Sequence, residues 1–183
     1  MPKASAILVG LSLLVLTVFP VFAQDSATSS SARKETQASR EAILRTKLQA
    51  FKNQKKASAA ARINTNLNQI NQKQVGQMQK HLATMSQILD RLEARVNQGA
   101  PAIASAREAW ASASAAIVTQ AQKDYTIQVT SEAKVRVDAK TQRDALHADL
   151  LALRKTVVNT KQAISNAIKV AKSNKEATSS GQQ

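Results

Sequence analysis

Met78, Leu82, Met85, Leu89, Leu92 and Val96 follow one another in steps of 4, 3, 4, 3 and 4 residues. That is the heptad spacing of an apolar helix seam, and it leaves the segment few options. It must be a helix whose one greasy stripe is covered by other helices. No Pro interrupts residues 33–97, and Gly76 is the only Gly among them. The pattern predicts one very long first helix over 33–97. Leu44, Leu48 and Phe51 form a shorter seam near its start. Between Lys52 and Arg62 the seam fades into "NQKKASAAAR", the natural place for a bend or a frayed turn.

The stretch "INTNLNQINQKQ", residues 63–74, tests this reading. Seven of the eleven residues from Asn64 to Gln74 are Asn or Gln. Composition alone describes a disordered polar tract. Yet Ile63, Leu67 and Ile70 stand 4 and 3 apart, which assigns the stretch to the long helix. Its burial is then thin and its local opening easy. It is the first place to look for a recognition surface, against the plain alternative of a solvated helix face.

"NQGAP", 97–101, stops one helix and starts the next. Gly99 suits the left-handed position after a helix, and Pro101 suits a first helical turn. So short a link turns the chain back antiparallel. The second helix, 101–122, carries the stripe Ile103, Ala106, Trp110, Ala113, Ile117 and Ala121, with Trp110 as its core anchor. "DYTIQVTS", 124–131, then alternates Tyr125, Ile127 and Val129 with polar residues, a poor helix pattern rich in β-branched side chains. It predicts an extended connector over 123–131. Thr130 or Ser131 suits the cap of a third helix, 132–171, with Glu132 near that helix's positive end. The third seam is Leu146, Leu150, Leu153, Val157, Thr160, Ile164 and Ile168.

The fold class expected is therefore all-α: an elongated three-helix bundle or coiled coil. In its upper section residues 78–97 pack with helix two and the later part of helix three. In its thinner lower section the region of Ile63–Ile70 pairs with the start of helix three, and the connector lays Tyr125, Ile127 and Val129 on both. Residues 24–32 and 172–183 are Ser-rich or polar, with little apolar surface to offset ordering entropy, and are expected to be disordered.

The first 23 residues read as a signal peptide. Lys3 precedes the uncharged apolar run Ala6–Phe19, Pro20 breaks it, and Val21 and Ala23 suit a cleavage site. The rival is an uncleaved anchor, but the run is shorter than the roughly 20 residues that span a bilayer. Export to the periplasm, cell envelope or exterior is the expected fate. Cleavage removes Lys3 and no acid, leaving 25 basic against 12 acidic residues and a net charge of +13.

Chemistry is excluded more readily than it is found. The chain has no Cys, hence no disulfide, thiolate metal site or lipidated cysteine. His81 and His147 stand alone; Asp144 lies one helical turn before His147, but two residues make neither a metal site nor a triad. No glycine-rich phosphate loop or nucleophile elbow is present. No enzymatic activity, metal or cofactor is expected.

Charge is the suggestive feature. From Ala42 to Leu89 there are eight basic residues and no acid: Arg45, Lys47, Lys52, Lys55, Lys56, Arg62, Lys73 and Lys80. Leu150 to Lys175 holds six more, again with no acid. Helices so one-sided lack opposite-sign i,i+4 pairs and favour a polyanion. These eight residues are the candidate site. The expected function is a non-enzymatic exported binding or scaffold protein of the cell envelope, contacting anionic polymers or a protein partner, with homo-oligomers open. The alternatives are a periplasmic holdase-like chaperone and an extracellular nucleic-acid-binding protein.

The order of parts, with "MSQILDRLEARV", "DYTIQV" and "LHADLLALRKTV", resembles small uncharacterised exported α-helical coiled-coil proteins of candidate-phylum bacteria. The resemblance covers most of residues 70–160. It implies this architecture and carries no activity or site residues. A looser likeness links the basic helices to the long arms of periplasmic holdase chaperones.

Overall fold

A computed structural model of the chain describes residues 26–95 and 101–180, with side chains over 35–95 and 101–174. The expected signal peptide and the Gly99 turn lie outside the described residues. Within them the chain is all-helical, in the order α1 (Ser26–Gln49), α2 (Gln54–Glu93), α3 (Pro101–Ala121) and α4 (Val135–Ser180). No helix among the described residues is long and apolar enough to cross a membrane.

The expected single first helix is two helices. Three causes break it at residues 50–53. Phe51 turns inward and is buried. Asn53 leaves helical geometry and caps α2, its Oδ1 accepting a 3.1 Å bond from Lys56 N. The Glu132 carboxylate accepts from the backbone N–H groups of Lys52 and Asn53, at 2.9 and 3.1 Å. A helix start exposes unpaired N–H groups, and a carboxylate there also meets the positive end of the dipole. Glu132 thus serves α2, not the helix that follows it. That helix begins three residues later than expected, where Ser131 Oγ accepts from Lys134 N at 3.3 Å. The flanks expected to be disordered contribute helix as well: α1 opens at Ser26 and α4 runs to Ser180. Once a turn is nucleated, each added residue gains a hydrogen bond at small cost.

α1 folds back on α2, and α2, α3 and α4 each pack against the other two. α2 and α4 run parallel: Leu67 shares a cluster with Leu146, and Leu89 shares another with Ile164. α3 runs against them, with Ile103 beside Leu89 at one end and Ile117 beside Val75 at the other. The upper core is apolar, with the small side chains of Ala106 and Ala167 packed around Leu89. Trp110 is half-buried between two clusters, and its Nε1–H donates to Leu82 O at 2.9 Å. Arg107 ties α3 to the end of α2, gripping Glu93 at 2.7 and 2.8 Å and reaching Asp90. These bonds hold the Glu93 carboxyl below its ordinary range.

The lower core is built differently. Leu44, Leu48 and Phe51 of α1, Ala60 and Leu67 of α2, and Val135, Ala139 and Leu146 of α4 surround Tyr125, Ile127 and Val129. The connector does lie on both helices, as its alternation suggests. It forms no strand, so its backbone needs other partners. Asn64 Oδ1 accepts from Ile127 N at 2.9 Å, and Lys47 Nζ donates to Val129 O at 2.8 Å. Asp124 Oδ1 takes the N–H and hydroxyl of Thr126 at 3.0 and 2.6 Å, while its other oxygen meets Arg40 at 3.1 Å.

This corrects the seam. The buried residues of α2 are Ala57, Ala60, Asn64, Leu67, Asn71, Val75, Met78, Leu82 and Leu89. Ile63 and Ile70, expected inside, are 39% and 46% exposed. Their neighbours Asn64 and Asn71 take the core positions because the connector and the end of α3 present unpaired polar groups there. The same trade puts Gln120 inside in place of Ala121 on α3; on α4, Ala167 takes the core position expected of Ile168.

One hydrogen-bonded relay crosses the molecule at this level. Asn71 Nδ2 donates to Gln120 O at 3.3 Å, and Gln120 Nε2 returns a 2.9 Å bond to Asn71 Oδ1. Gln120 Nε2 also donates to the Tyr125 hydroxyl at 2.6 Å, which donates in turn to Asp149 at 2.7 Å. Lys123 closes the relay on the other Asp149 oxygen at 2.8 Å. Burial, with the Asp149 bond, pushes the Tyr125 hydroxyl well above its ordinary range. Burial opposes ionisation of Asp149, but the bonds from Lys123 and Tyr125 prevail and hold its carboxyl low. No described buried side-chain nitrogen or oxygen lacks a partner.

Candidate polyanion-binding surface

All eight cations singled out by the sequence are exposed, but the fold divides them. Lys47 is committed to the Val129 carbonyl. Lys52 sits at the joint between α1 and α2, where its backbone is held by Glu132. Arg45 lines a cleft between α1 and α2 that also holds Glu41. Lys56 lies about 100° round the helix from Lys55.

The other four come together. Lys55, Arg62, Lys73 and Lys80 are separated by 7, 11 and 7 residues. Seven residues fall slightly short of two turns and eleven slightly exceed three, so alternating them keeps a straight line. Arg91 adds a further step of 11 and extends the line. All five project from the side of α2 opposite its buried seam, and none forms an ion pair among the described residues. Exposed Asn66, Gln69, Thr84 and Gln87 fill the gaps between them. Of the seven Asn and Gln between Asn64 and Gln74, Asn64 holds the connector and Asn71 the end of α3, while Asn66 and Gln69 lie on this surface.

Reading the charge pattern missed Arg91, because Asp90 ends the acid-free run just before it. The structure removes that objection: the Asp90 carboxylate turns to Arg107 on α3. The signal for Arg91 was its phase, 11 residues after Lys80, which the helix expected over 33–97 already contained.

The spacing explains how five like charges coexist. Neighbours lie about 10 or 16 Å apart along the axis. That is at or beyond the screening length of about 8 Å at physiological salt, so their mutual repulsion is weak. A flexible polyanion laid along the face gathers all five over roughly 54 Å of helix. Phe51 is buried, so it offers no platform for stacking bases.

His81 and His147 are exposed. Asp144 does not serve His147; its carboxylate binds Lys140 at 2.7 Å and Arg143 at 3.0 Å, which hold it below its ordinary range. No group of three His, Cys, Asp or Glu among the described residues is placed to hold a metal ion. Comparison with protein-family models, curated proteins and solved structures finds no match.

Proposed function

We propose that the chain is a non-enzymatic exported scaffold of the cell envelope, an elongated helical bundle that binds an anionic envelope polymer along the outer face of α2. The observation that carries this reading is the line Lys55–Arg62–Lys73–Lys80–Arg91, none of them in an ion pair among the described residues, with the amides of Asn66, Gln69 and Gln87 between the charges. Such a face recognises spaced negative charge and asks nothing of bases, which suits a phosphate- or carboxylate-bearing polymer better than a nucleic acid read by stacking. The uncharged leader run supports export.

The test is co-sedimentation with purified envelope polymer across a salt series. The wild type binds at low salt and releases steeply as salt rises. Changing all five cations to Gln lowers low-salt affinity by at least about tenfold and flattens the salt slope by up to about 4. Changing Arg136, Lys140, Arg143, Lys155 and Lys169 on α4 to Gln has the smaller effect. Equal losses for the two sets mean that net charge, not the line, is responsible. Tighter binding to DNA than to the polymer at matched salt favours the nucleic-acid reading, and suppression of client aggregation without polymer binding favours the chaperone.

A further inference from the structure

A second surface lies on a different side of α2. α2 and α4 leave an open groove of about 880 Å³ between them. Its walls keep one register: each α4 residue in the groove stands 80 positions after one in α2. Met78 is matched by Val158, Met85 by Ser165, and Ile88 by Ile168. Each wall also repeats at seven, as His81 and Ile88 do on α2 and Arg154 and Lys161 on α4.

The exposed isoleucines of the polar tract now find a place. Ile63 and Ile70 continue downward, in steps of seven, the row that holds Gln77 and Thr84 in the groove. Leu151 does the same below Val158 on α4. Leu151 is 60% exposed and Val158 is 55% exposed. Exposed apolar residues thus recur at heptad spacing on two parallel helices, interrupted by Gln77, Thr84 and Ser165, and nothing in the described chain covers them.

We infer that this groove docks an acidic amphipathic helix of a partner protein. Periodicity identifies the occupant as a helix: heptad-spaced walls on two parallel helices form holes for the knobs of a third, whereas an acyl chain needs no such repeat. Charge identifies it as acidic. Arg154 and Lys161 stand one heptad apart on the rim, neither forms an ion pair, and no Asp or Glu lines the groove. A second copy docking through the same groove would set these cations against their equivalents. The groove predicts apolar residues at the seam positions of the incoming helix and acids seven apart on its flank. From Gln74 to Ile88 it spans about four helical turns, and the strip from Ile63 extends this to about seven. The inference stands apart from the polymer reading, since the two surfaces share Thr84 but none of the five cations.

The experiment uses the full chain at physiological salt and three labelled 21-residue peptides. One has Leu at the seam positions and Glu on the flanks; one replaces Glu by Lys; one scrambles the first. Anisotropy should show the acidic heptad peptide binding at least about tenfold more tightly than either control. Arg154→Glu with Lys161→Glu should reverse the preference between acidic and basic peptides. Val158→Glu with Ile168→Glu should abolish peptide binding while envelope-polymer binding stays at the wild-type level. Both pairs alter exposed positions, and an unchanged thermal melt confirms the fold. Equal binding of the scrambled peptide, or a preference unmoved by charge reversal, overturns the inference. So does a dimer in sedimentation that Val158→Glu dissolves, or a long-chain fatty acid that displaces the acidic peptide stoichiometrically.

Discussion

The two halves of α2 solve the same packing problem with different materials. Its upper half buries Val75, Met78, Leu82 and Leu89 against helices whose backbones satisfy themselves. Its lower half interrupts the apolar seam with Asn64 and Asn71, because it must hold a connector that has no hydrogen-bonded ladder of its own. A buried polar side chain is tolerable when its buried groups are paired, and no described buried side-chain nitrogen or oxygen here lacks a partner. The lower half spends core positions on fixing a path; the upper half uses them for cohesion.

That contrast can be broken from either side. The largest effect is expected at the top. Leu89 is completely buried, and Leu89→Ala leaves a cavity among Ile103, Ala106, Ile164 and Ala167 that should destabilise the protein by about 3–5 kcal/mol in urea denaturation. A cost near zero would mean that the upper core is loosely packed. Next comes Asn64→Leu. A hydrophobicity scale scores it as an improvement, yet it strands the Ile127 N–H. It should cost about 1–3 kcal/mol and speed hydrogen exchange at Ile127. A gain in stability would show that the lower core is merely unoptimised.

The smallest effect is titration of the relay. Asp149 is depressed below its ordinary 3.8, so its contribution is complete above that value and is lost as pH falls through the folded pKa. Tyr125 is raised above its ordinary 10.0, so its contribution holds below that value and is lost as pH rises through the folded pKa. Stability measured against pH should sag at both ends. Tyr125→Phe should remove the alkaline sag and reduce the acid one, while Leu89→Ala leaves the shape of the curve unchanged.

The same contrast explains what could be read from the sequence. The seam from Met78 to Leu89 was legible because an apolar heptad has one physical solution. The connector was legible because alternation of β-branched residues excludes a helix, and Leu67 does share its cluster with Val135 and Leu146. The choice of Asn64 over Ile63 was not legible. Hydrophobic periodicity selects the more apolar neighbour, and only knowledge of the connector's unpaired N–H reverses it. The break at 50–53 was half legible: Asn53 is a good cap, but the carboxylate that stabilises it belongs to Glu132. The cationic face was visible as a count and not as a line. The steps of 7, 11 and 7 that align Lys55, Arg62, Lys73 and Lys80 were in the sequence, but a count does not look for them; the fold then diverts Lys47 to the connector and turns Asp90 away from Arg91 to Arg107.

The grip of Glu132 on Lys52 and Asn53 also sets the order in which the molecule can assemble. Those bonds join residues 80 and 79 apart, while each helix forms within itself. A nascent chain that ends before residue 132 has the Asn53 cap to mark the elbow between α1 and α2 but lacks the carboxylate that ties it down. The elbow therefore gains this hold only once Glu132 is made, still ahead of the α4 residues Leu153, Val157, Ile164 and Ala167 that complete the upper core.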